Sequence, residues 1–248
     1  MSASGEIKSV QIALVLADIS GYTRFARLHR TSEAHAEHIV CELLEEVIAA
    51  TDHPLELHQL LGDAAVFVAR SDGSTELAQD VFEQVQRLSE AFRLRAGELT
   101  GECSLCVCDA CRGAGTLKLK VIIHHGQVVE TQLRGFAKLA GEDMIVAHRL
   151  LKNSVAADEY VLITEPFQRL LGDVAGTDPD HRRESCEGVG EIGVVVYFPE
   201  NADRPVPRTK FRSRVATMAR MEAYAARRLL TRKPKRPSVP GTIRSELI

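Results

Sequence analysis

Apolar positions along this 248-residue chain follow two periods, one typical of strands and one typical of helices. Short apolar runs bounded by turn residues predict strands, and apolar residues three or four positions apart predict helices. The predicted strands cover residues 10–17, 55–61, 64–69, 117–124, 128–133, 160–164 and 193–198. The predicted helices are one that begins near Thr23, those over residues 32–51, 76–94 and 141–153, and a short one opened by Pro166. This order predicts an α/β (α+β) fold, with a mixed or antiparallel sheet and helices packed on it.

Turn residues and polar stretches divide these elements. Gly126 is predicted as a turn between two strands, and residues 97–115 and 171–187 are predicted as loops. The first of these loops carries a cysteine cluster. We therefore predict a domain over residues 1–200 with a Cys-rich insertion at about 97–115, followed by a partly helical tail over residues 201–248.

Two aspartates follow apolar runs and lie next to glycine-containing turns. Asp18 follows the first predicted strand, and Asp63 follows Gly62 in a predicted hairpin turn. If the two strands are neighbours, both carboxylates meet at one edge of the sheet, where they repel each other unless a cation lies between them. Oxygen ligands favour Mg²⁺ or Mn²⁺. The alternative is that Asp18 caps a helix and Asp63 only forms the turn.

Charge is distributed unevenly along the chain. Residues 201–248 hold 13 Lys and Arg against three acids, a net charge of +10, whereas residues 1–200 hold 18 against 31, a net charge of −13. No apolar run is long enough to span a bilayer. The first residues have neither the basic nor the apolar region of a signal peptide, so we expect a cytoplasmic protein.

Four cysteines fall within nine residues: Cys103, Cys106, Cys108 and Cys111. In a cytoplasmic chain such clustering favours metal binding over disulfides. Four thiolates match the tetrahedral preference of Zn²⁺, although the two CxxC pairs are only one residue apart. His124 or His125 could complete a three-cysteine site. A reduced, metal-free loop or a redox pair are the alternatives.

The basic tail contains an approximate apolar stripe formed by Phe211, Val215, Met218, Ala225 and Leu229. Arginines surround this stripe, so the tail could form an amphipathic helix for an acidic lipid surface or for the acidic body of a partner. The alternative is a packed helix followed by a basic end. Specific nucleic-acid binding is not expected, because the tail has only two aromatic residues and a basic run alone is non-specific.

Several segments resemble the motifs of class III nucleotide cyclases, in that family's order. Residues 17–25 resemble the opening metal motif, and residues 60–64 resemble the second one. Residues 121–126 resemble the strand before the central hairpin. The residues that match the last catalytic helix are Gly141, Ala147 and Arg149. The resemblance covers about residues 10–198, and several motifs in order are far more specific than any one alone.

This resemblance implies a ferredoxin-like βαββαβ palm that forms a head-to-tail homodimer with active sites at the interface. It implies that Asp18, Asp63 and the backbone of Ile19 bind Mg²⁺ or Mn²⁺. Arg149 would be catalytic, because it would stabilise charge that develops in the transition state. A nucleoside triphosphate would lie against the backbone of Ser20, Gly21, Tyr22 and Thr23, where N–H groups favour phosphate.

Three positions depart from the family pattern. Gln59 stands where the family has its base-recognising Lys, and Lys138 stands where that Lys often has an Asp partner. Ile145 replaces the Asn that orients the ribose. An apolar side chain cannot supply that hydrogen bond, and such losses cost orders of magnitude in rate. The base and ribose pocket is therefore expected to be rebuilt.

Residues 145–153, which contain the run His-Arg-Leu-Leu-Lys-Asn, together with the cysteine cluster, resemble an uncharacterised bacterial subgroup of cyclase-like proteins. We expect a signalling protein that binds a nucleoside triphosphate or related phosphate ligand through a divalent metal, with altered or lost cyclase activity. Two alternatives stay open. One is an active cyclase that converts NTP to cyclic NMP and pyrophosphate with changed base recognition, and the other is a non-catalytic dimerisation or interaction module.

Overall fold

The computed structural model describes residues 7–28, 33–102, 110, 113–133, 136–175, 177–199 and 223. Its strands are β1 (Lys8–Ser20), β2 (Glu56–Leu61), β3 (Ala64–Arg70), β4 (Lys118–Leu133), β5 (Phe136–Ala140), β6 (Tyr160–Thr164), β7 (Asp180–Cys186) and β8 (Gly190–Tyr197). Its α-helices are α1 (Tyr22–Leu28), α2 (Glu33–Ala49), α3 (Thr75–Glu102), α4 (Glu142–Leu150) and α5 (Glu165–Leu171). A 3₁₀ turn covers Ala114–Thr116.

The strands form one mixed sheet in the order β2-β3-β1-β4-β6-β8-β7, and β5 pairs with β4 outside this path. The pairing of β4 with β6 is parallel, and the other pairings are antiparallel. The predicted mixed α+β fold is therefore confirmed. Strand β1 lies between β3 and β4, so the first metal motif starts from the centre of the sheet.

The two faces of the sheet have separate apolar cores. Ala13, Val15 and Ala17 belong to the larger core, which also contains buried residues of α2, α3 and α5. The alternate residues Leu14 and Leu16 belong to a smaller core with residues of α4. Because strand side chains alternate between faces, residues 12, 14, 16 and 18 of β1 share the face that carries α4. We call this the α4 face.

Strand β4 is one continuous strand, whereas the sequence predicted two strands joined by a turn at Gly126. Gly126 pairs in register with Ile12 of β1. A Cβ atom added to Gly126 would lie 2.1 Å from Cγ of Asp143 on α4. Glycine at this position therefore allows the close approach of α4 and does not form a turn. The hairpin partner of β4 is instead β5.

Helix α3 is longer than predicted and extends into the region assigned to the Cys-rich insertion. Ala96 and Leu99 are buried at helical spacing after Phe92, so core packing continues past the predicted end. The Arg95 guanidinium also pairs with Glu42 of α2 at 2.8 Å. These contacts outweigh the cost of a helical Gly97, about 1 kcal/mol relative to alanine.

The predicted loop over residues 171–187 contains strand β7. Its side chains alternate, with Glu184 and Cys186 buried and Arg183 and Ser185 exposed. The strand lies at the edge of the sheet, where charged residues are common. Because its sequence is rich in charged residues, it was predicted to be a loop.

Three sequence-based predictions fall wholly or partly outside the described residues. Cys103, Cys106, Cys108 and Cys111 lie outside them, as does the tail over residues 201–248 apart from Ala223. The boundary at residue 200 also remains a prediction. The His-Arg-Leu-Leu-Lys-Asn run is only partly helical, because α4 ends at Leu150.

Helix α4 is fixed to the sheet through a buried histidine. Nε2 of His124 lies 2.9 Å from Oδ1 of Asp143, and Nδ1 lies 2.9 Å from Oγ1 of Thr164. Oδ2 of Asp143 accepts a hydrogen bond from the Gln127 amide at 2.6 Å. Burial lowers the pKa of His124, an effect that Asp143 opposes. Because an ionised carboxylate only accepts, a neutral His124 donates from Nε2 and accepts the Thr164 hydroxyl at Nδ1.

The contact between Gly126 and Asp143 predicts coupled stabilities. Gly126→Ala should destabilise the protein because the new methyl group displaces Asp143. Asp143→Ala should cost about 1–3 kcal/mol, because it leaves His124 and the Gln127 amide without an acceptor. The double variant should cost little more than Asp143→Ala alone, since the obstructing side chain is gone. Urea unfolding of the four proteins measures this, and additive losses would show that the two residues act independently.

Candidate functional site

Asp18 directly follows the buried apolar residues that β1 contributes to the α4 face. It is half-buried and pairs in register with Ala64 of β3 on one side and with Lys120 of β4 on the other. The Lys120 ammonium lies 2.9 Å from Oδ2 of Asp18. It also donates to the carbonyl of Leu151, just after α4, at 3.2 Å. A charged pair thus links β1, β4 and the end of α4.

Asp63 is held beside Asp18 by the turn between β2 and β3. Gly62 adopts a φ of +63°, which permits the tight turn, and the Asp63 carbonyl accepts the Ile19 amide at 3.2 Å. Burial raises the pKa of Asp63, and the charge of Asp18 raises it further. A backbone hydrogen bond and Lys120 act in the opposite direction. The charge of Asp18 is thus one of several influences on the Asp63 carboxyl group.

Strand β1 continues past Asp18 to Ser20, so the predicted turn is shorter than expected and leads through Gly21 into α1. Ile19 points into the larger core, so only its backbone can serve a ligand on the α4 face. Gly21 adopts a φ of +85°, and its carbonyl accepts the Phe25 amide at 2.9 Å. The Ser20 hydroxyl donates to Asp158 at 3.3 Å. The predicted phosphate segment, Ser20, Gly21, Tyr22 and Thr23, thus adjoins both aspartates through β1.

The donor atoms at this place fit a divalent cation. Asp18 and Asp63 supply carboxylate oxygens, Ile19 supplies a backbone carbonyl, and the pair retains a net negative charge after Lys120 is counted. Within the described ranges, no group of three or more His, Cys, Asp or Glu side chains could hold a metal. The remaining ligands would have to be water or phosphate oxygens, as is common for Mg²⁺.

A polar row beside the aspartates was missed by the sequence analysis. Lys120 pairs in register with Tyr160 of the parallel strand β6, so the row runs from Asp18 through Lys120 to Tyr160. The Tyr160 hydroxyl accepts Nδ2 of Asn153 at 2.7 Å. Burial raises the pKa of Tyr160. The sequence does show Lys118 and Lys120 alternating with apolar residues at the start of β4. It does not show that Lys120 pairs with Asp18 and Tyr160 on the neighbouring strands.

The row continues to β7 through a buried carboxylate. Glu184 is buried and accepts both the amide and the hydroxyl of Ser154, each at 2.8 Å. These bonds hold the chain that follows α4. The polar network on the α4 face therefore reaches from β1 to the opposite edge strand.

Arg149 is not brought to the aspartates. It lies in the last turn of α4, and its guanidinium pairs with Glu187 after β7 at 3.0 Å. This ion pair, between described residues of one chain, holds the Arg149 guanidinium on the β7 side of the sheet. The predicted catalytic role requires either a change of partner or a second copy of the chain.

The predicted base and ribose residues lie on separate elements. Gln59 is half-buried after an irregularity in β2, and Lys138 is exposed on β5. Strands β3, β1 and β4 separate these two elements in the sheet. Ile145 is 51% exposed on α4. The residues adjacent to Gln59 and Lys138, namely His58, Ala137 and Leu139, line a groove of about 610 Å³.

The histidines considered for a zinc site already have protein partners. Both ring nitrogens of His124 are engaged, as described above, and Nε2 of His125 lies 3.0 Å from the Ser71 hydroxyl. His124 therefore has no nitrogen left for a metal. No helix among the described residues is long and apolar enough to cross a membrane.

Comparison of the model with solved structures shows the fold. The guanylyl cyclase Cya2 superposes with a TM-score of 0.60 at 15% identity, covering 82% of this chain and 100% of that one. The adenylyl cyclase CyaB from P. aeruginosa superposes with a TM-score of 0.57 at 12% identity, covering 80% and 99%. The predicted resemblance to class III cyclase domains is thus confirmed at the level of the fold.

Sequence comparison identifies the family. A family model described as "Protein of unknown function (DUF2652)" matches residues 40–160. "Uncharacterized protein Rv2561/Rv2562" from Mycobacterium tuberculosis (strain ATCC 25618 / H37Rv) is 30% identical over 166 residues, which cover 67% of this chain and 76% of that protein. The chain therefore belongs to the family of this uncharacterized mycobacterial protein, and it has the fold of class III nucleotide cyclase domains.

Proposed function

We propose that this protein binds a nucleoside triphosphate or a related phosphate ligand through Mg²⁺ or Mn²⁺, and that its cyclase activity is altered or lost. The observation that supports binding is the pair of adjacent carboxylates, Asp18 and Asp63, one of which has its pKa raised by burial and by the other. Repulsion that Lys120 relieves only in part, in a partly buried place, favours a bound cation.

Each residue of the site has a distinct part in this proposal. Asp18, Asp63 and the Ile19 carbonyl hold the cation, which supplies positive charge to the phosphates when it is bound. Lys120 lies within ion-pair distance of Asp18, so its ammonium can contact a phosphate on the same cation. The backbone of residues 20–23 offers N–H groups to the remaining phosphate oxygens.

The features that oppose efficient cyclisation lie outside the residues proposed to bind the cation and the phosphates. Cyclisation requires the ribose hydroxyl to be oriented toward the phosphate, and Ile145 offers no hydrogen bond for that purpose. Arg149 is paired with Glu187 and not with the aspartates. Gln59 and Lys138 present a different hydrogen-bonding pattern from the family pair. We therefore place the protein among phosphate-ligand binders with a signalling role.

We also propose that two copies associate through the exposed apolar side chains of β2 and α4. Leu57, Leu60 and Leu61 are exposed on edge strand β2, and Ile145 is exposed on α4. Exposed apolar groups close to an unpaired strand edge favour burial against another chain. A head-to-tail arrangement would bring Arg149 of one copy toward the aspartates of the other.

Removing either carboxylate should abolish the ligand response. In the wild type, Mn²⁺ with ATP or GTP should raise the melting temperature more than either component alone, because a ligand at 100 times its Kd adds about 2.7 kcal/mol. Asp18→Asn and Asp63→Asn should lose this shift, while Asp80→Asn, an exposed carboxylate on α3, should keep it. Differential scanning fluorimetry and isothermal titration measure this.

Asp63→Asn should in addition stabilise the metal-free protein at pH 7. A raised folded-state pKa means that the ionised carboxylate opposes folding at pH above that pKa, and the amide removes this cost. An unchanged response of both aspartate variants to metal and triphosphate would contradict the site. Robust formation of cyclic AMP or cyclic GMP that vanishes in Asp18→Ala would instead show a working cyclase.

Lys120→Met should separate cation binding from phosphate binding. Loss of the ammonium beside Asp18 should strengthen binding of Mn²⁺ alone, because a competing positive charge is removed. It should weaken binding of inorganic triphosphate in the presence of Mn²⁺ by about tenfold, which corresponds to ~1.4 kcal/mol. Lys118→Met is the control, since Lys118 is on the same strand and pairs with Glu159 instead. Equal effects of both variants in isothermal titration would exclude a specific role for Lys120.

Self-association should depend on the exposed apolar residues. Leu60→Asp and Ile145→Asp should each shift sedimentation equilibrium toward the monomer, because a carboxylate cannot be buried cheaply at an apolar interface. Ile7→Asp, which alters an exposed isoleucine at the start of the described chain, should not. A wild type that remains monomeric at high concentration would refute the dimer.

A further inference from the structure

A groove of about 550 Å³ lies on the sheet face opposite α4, beside helix α3. One wall is a stripe of α3 at helical spacing, formed by Phe82, Gln86, Ser89 and Arg93. This spacing presents one helix face over three turns, about 16 Å of length. The other walls come from β6, from the segment after α5 and from the end of β8 with the residues that follow it, and include Val161, Val174, Tyr197, Phe198 and Pro199.

The groove has an apolar floor in which the rings of Phe82 and Tyr197 are already buried and that of Phe198 is exposed. The rings of Phe82 and Tyr197 meet edge to face with centroids 5.6 Å apart. Phe198 is 46% exposed, although it borders this pair and lines the groove. A large aromatic side chain in this position favours an apolar partner that covers it.

Two carboxylates, Glu90 and Glu159, and one cation, Arg93, line the groove, so its lining has a net charge of −1. Arg93 pairs with Glu90 at 2.6 Å. Oε2 of Glu159 is buried and accepts no hydrogen bond from the described residues, although the Lys118 ammonium forms an ion pair with this oxygen at 3.4 Å. The surrounding residues 1–200 carry a net charge of −13.

The chain enters its basic tail at the wall of this groove. Pro199 lines the groove, and the eleven residues 200–210 that follow it can span up to ~36 Å, which is more than enough to return to α3. The next residues place Phe211, Val215 and Met218 on one helix face, over about two turns. Arg212 and Arg214 flank that face.

Ala223 agrees with such a helix. It is in a helical conformation and exposed. At about 100° per residue, it lies roughly 120° around the helix from Phe211, away from the apolar stripe. An exposed Ala223 is thus compatible with burial of the stripe.

We propose that residues 211–218 of the tail dock as a helix into this groove of the same chain, with Phe211, Val215 and Met218 on the apolar floor and the arginines beside Glu90 and Glu159. Attachment at Pro199 favours the same chain as the occupant, because a short connection gives an effective concentration in the millimolar range. This docking surface is separate from the proposed phosphate site and does not depend on it.

Hydrogen exchange of the full-length protein tests the docking. Short isolated helices are marginal in water, so amides 211–218 should be protected only if the segment packs. In the wild type we expect at least tenfold protection of these amides. Val215→Asp/Met218→Asp should remove it, and should also increase exchange at Val174, Ala175 and Thr177, which line the groove. Ser213→Asp/Thr217→Asp adds the same charge off the stripe and should leave protection in place.

A groove variant gives a second, independent readout. Gln86→Arg adds a cation to the groove and should reduce protection of residues 211–218 by repelling the arginines. Gln79→Arg makes the same change on the same helix two turns earlier, outside the groove, and should have little effect.

Three outcomes would overturn the proposal. The first is an absence of protection in the wild-type tail. The second is equal loss of protection in the stripe and off-stripe variants. The third is protection that comes from another molecule, seen either as cross-links between isotopically distinct copies or as protection that appears only with vesicles containing acidic lipids.

Discussion

Strand β1 is buried on both faces, and its two-residue alternation decides where the rest of the molecule lies. One set of its side chains packs into the larger core with α2, α3 and α5, and the other set packs beneath α4. A shift of register by one residue would exchange both sets at once. Asp18 continues the set on the α4 face, so the same constraint that forms the smaller core also aims this carboxylate at Lys120 and toward Asp63.

The charges at this place are balanced only in part. Lys120 offsets one of the two carboxylates, and the pKa of Asp63 stays raised by burial and by Asp18. Replacing both acids by apolar residues would remove this repulsion, as buried charge networks often cost more than they contribute. Their presence therefore agrees with the proposal of a ligand that has compensating charge. Tyr160, Asn153 and the buried Glu184 extend the polar network well beyond the two aspartates.

Helices and strands that are continuous in the chain were predicted from the sequence more accurately than contacts made across the sheet. Strand β6 and the hairpin of β2 and β3 were found because apolar runs end at clear turns. Gly126 was misread as a turn, because its role depends on Asp143, seventeen residues later. Strand β7 was missed because an edge strand needs no apolar pattern. Asp18 and Asp63 were predicted to lie together because each follows an apolar run, whereas Lys120 and Tyr160 lie beside Asp18 only through pairings that no local pattern reveals.

The two ends of α4 are anchored by chemically different contacts. At its start, Asp143 binds a buried His124 whose pKa is lowered by burial. At its end, the carbonyl of Leu151 binds the ammonium of Lys120, which is also the partner of Asp18. A ligand of the proposed kind that drew Lys120 away from Leu151 would remove a contact at the end of α4 and leave the contacts of Asp143 at its start in place. Arg149 lies in the last turn of α4, close to the contact that would be lost.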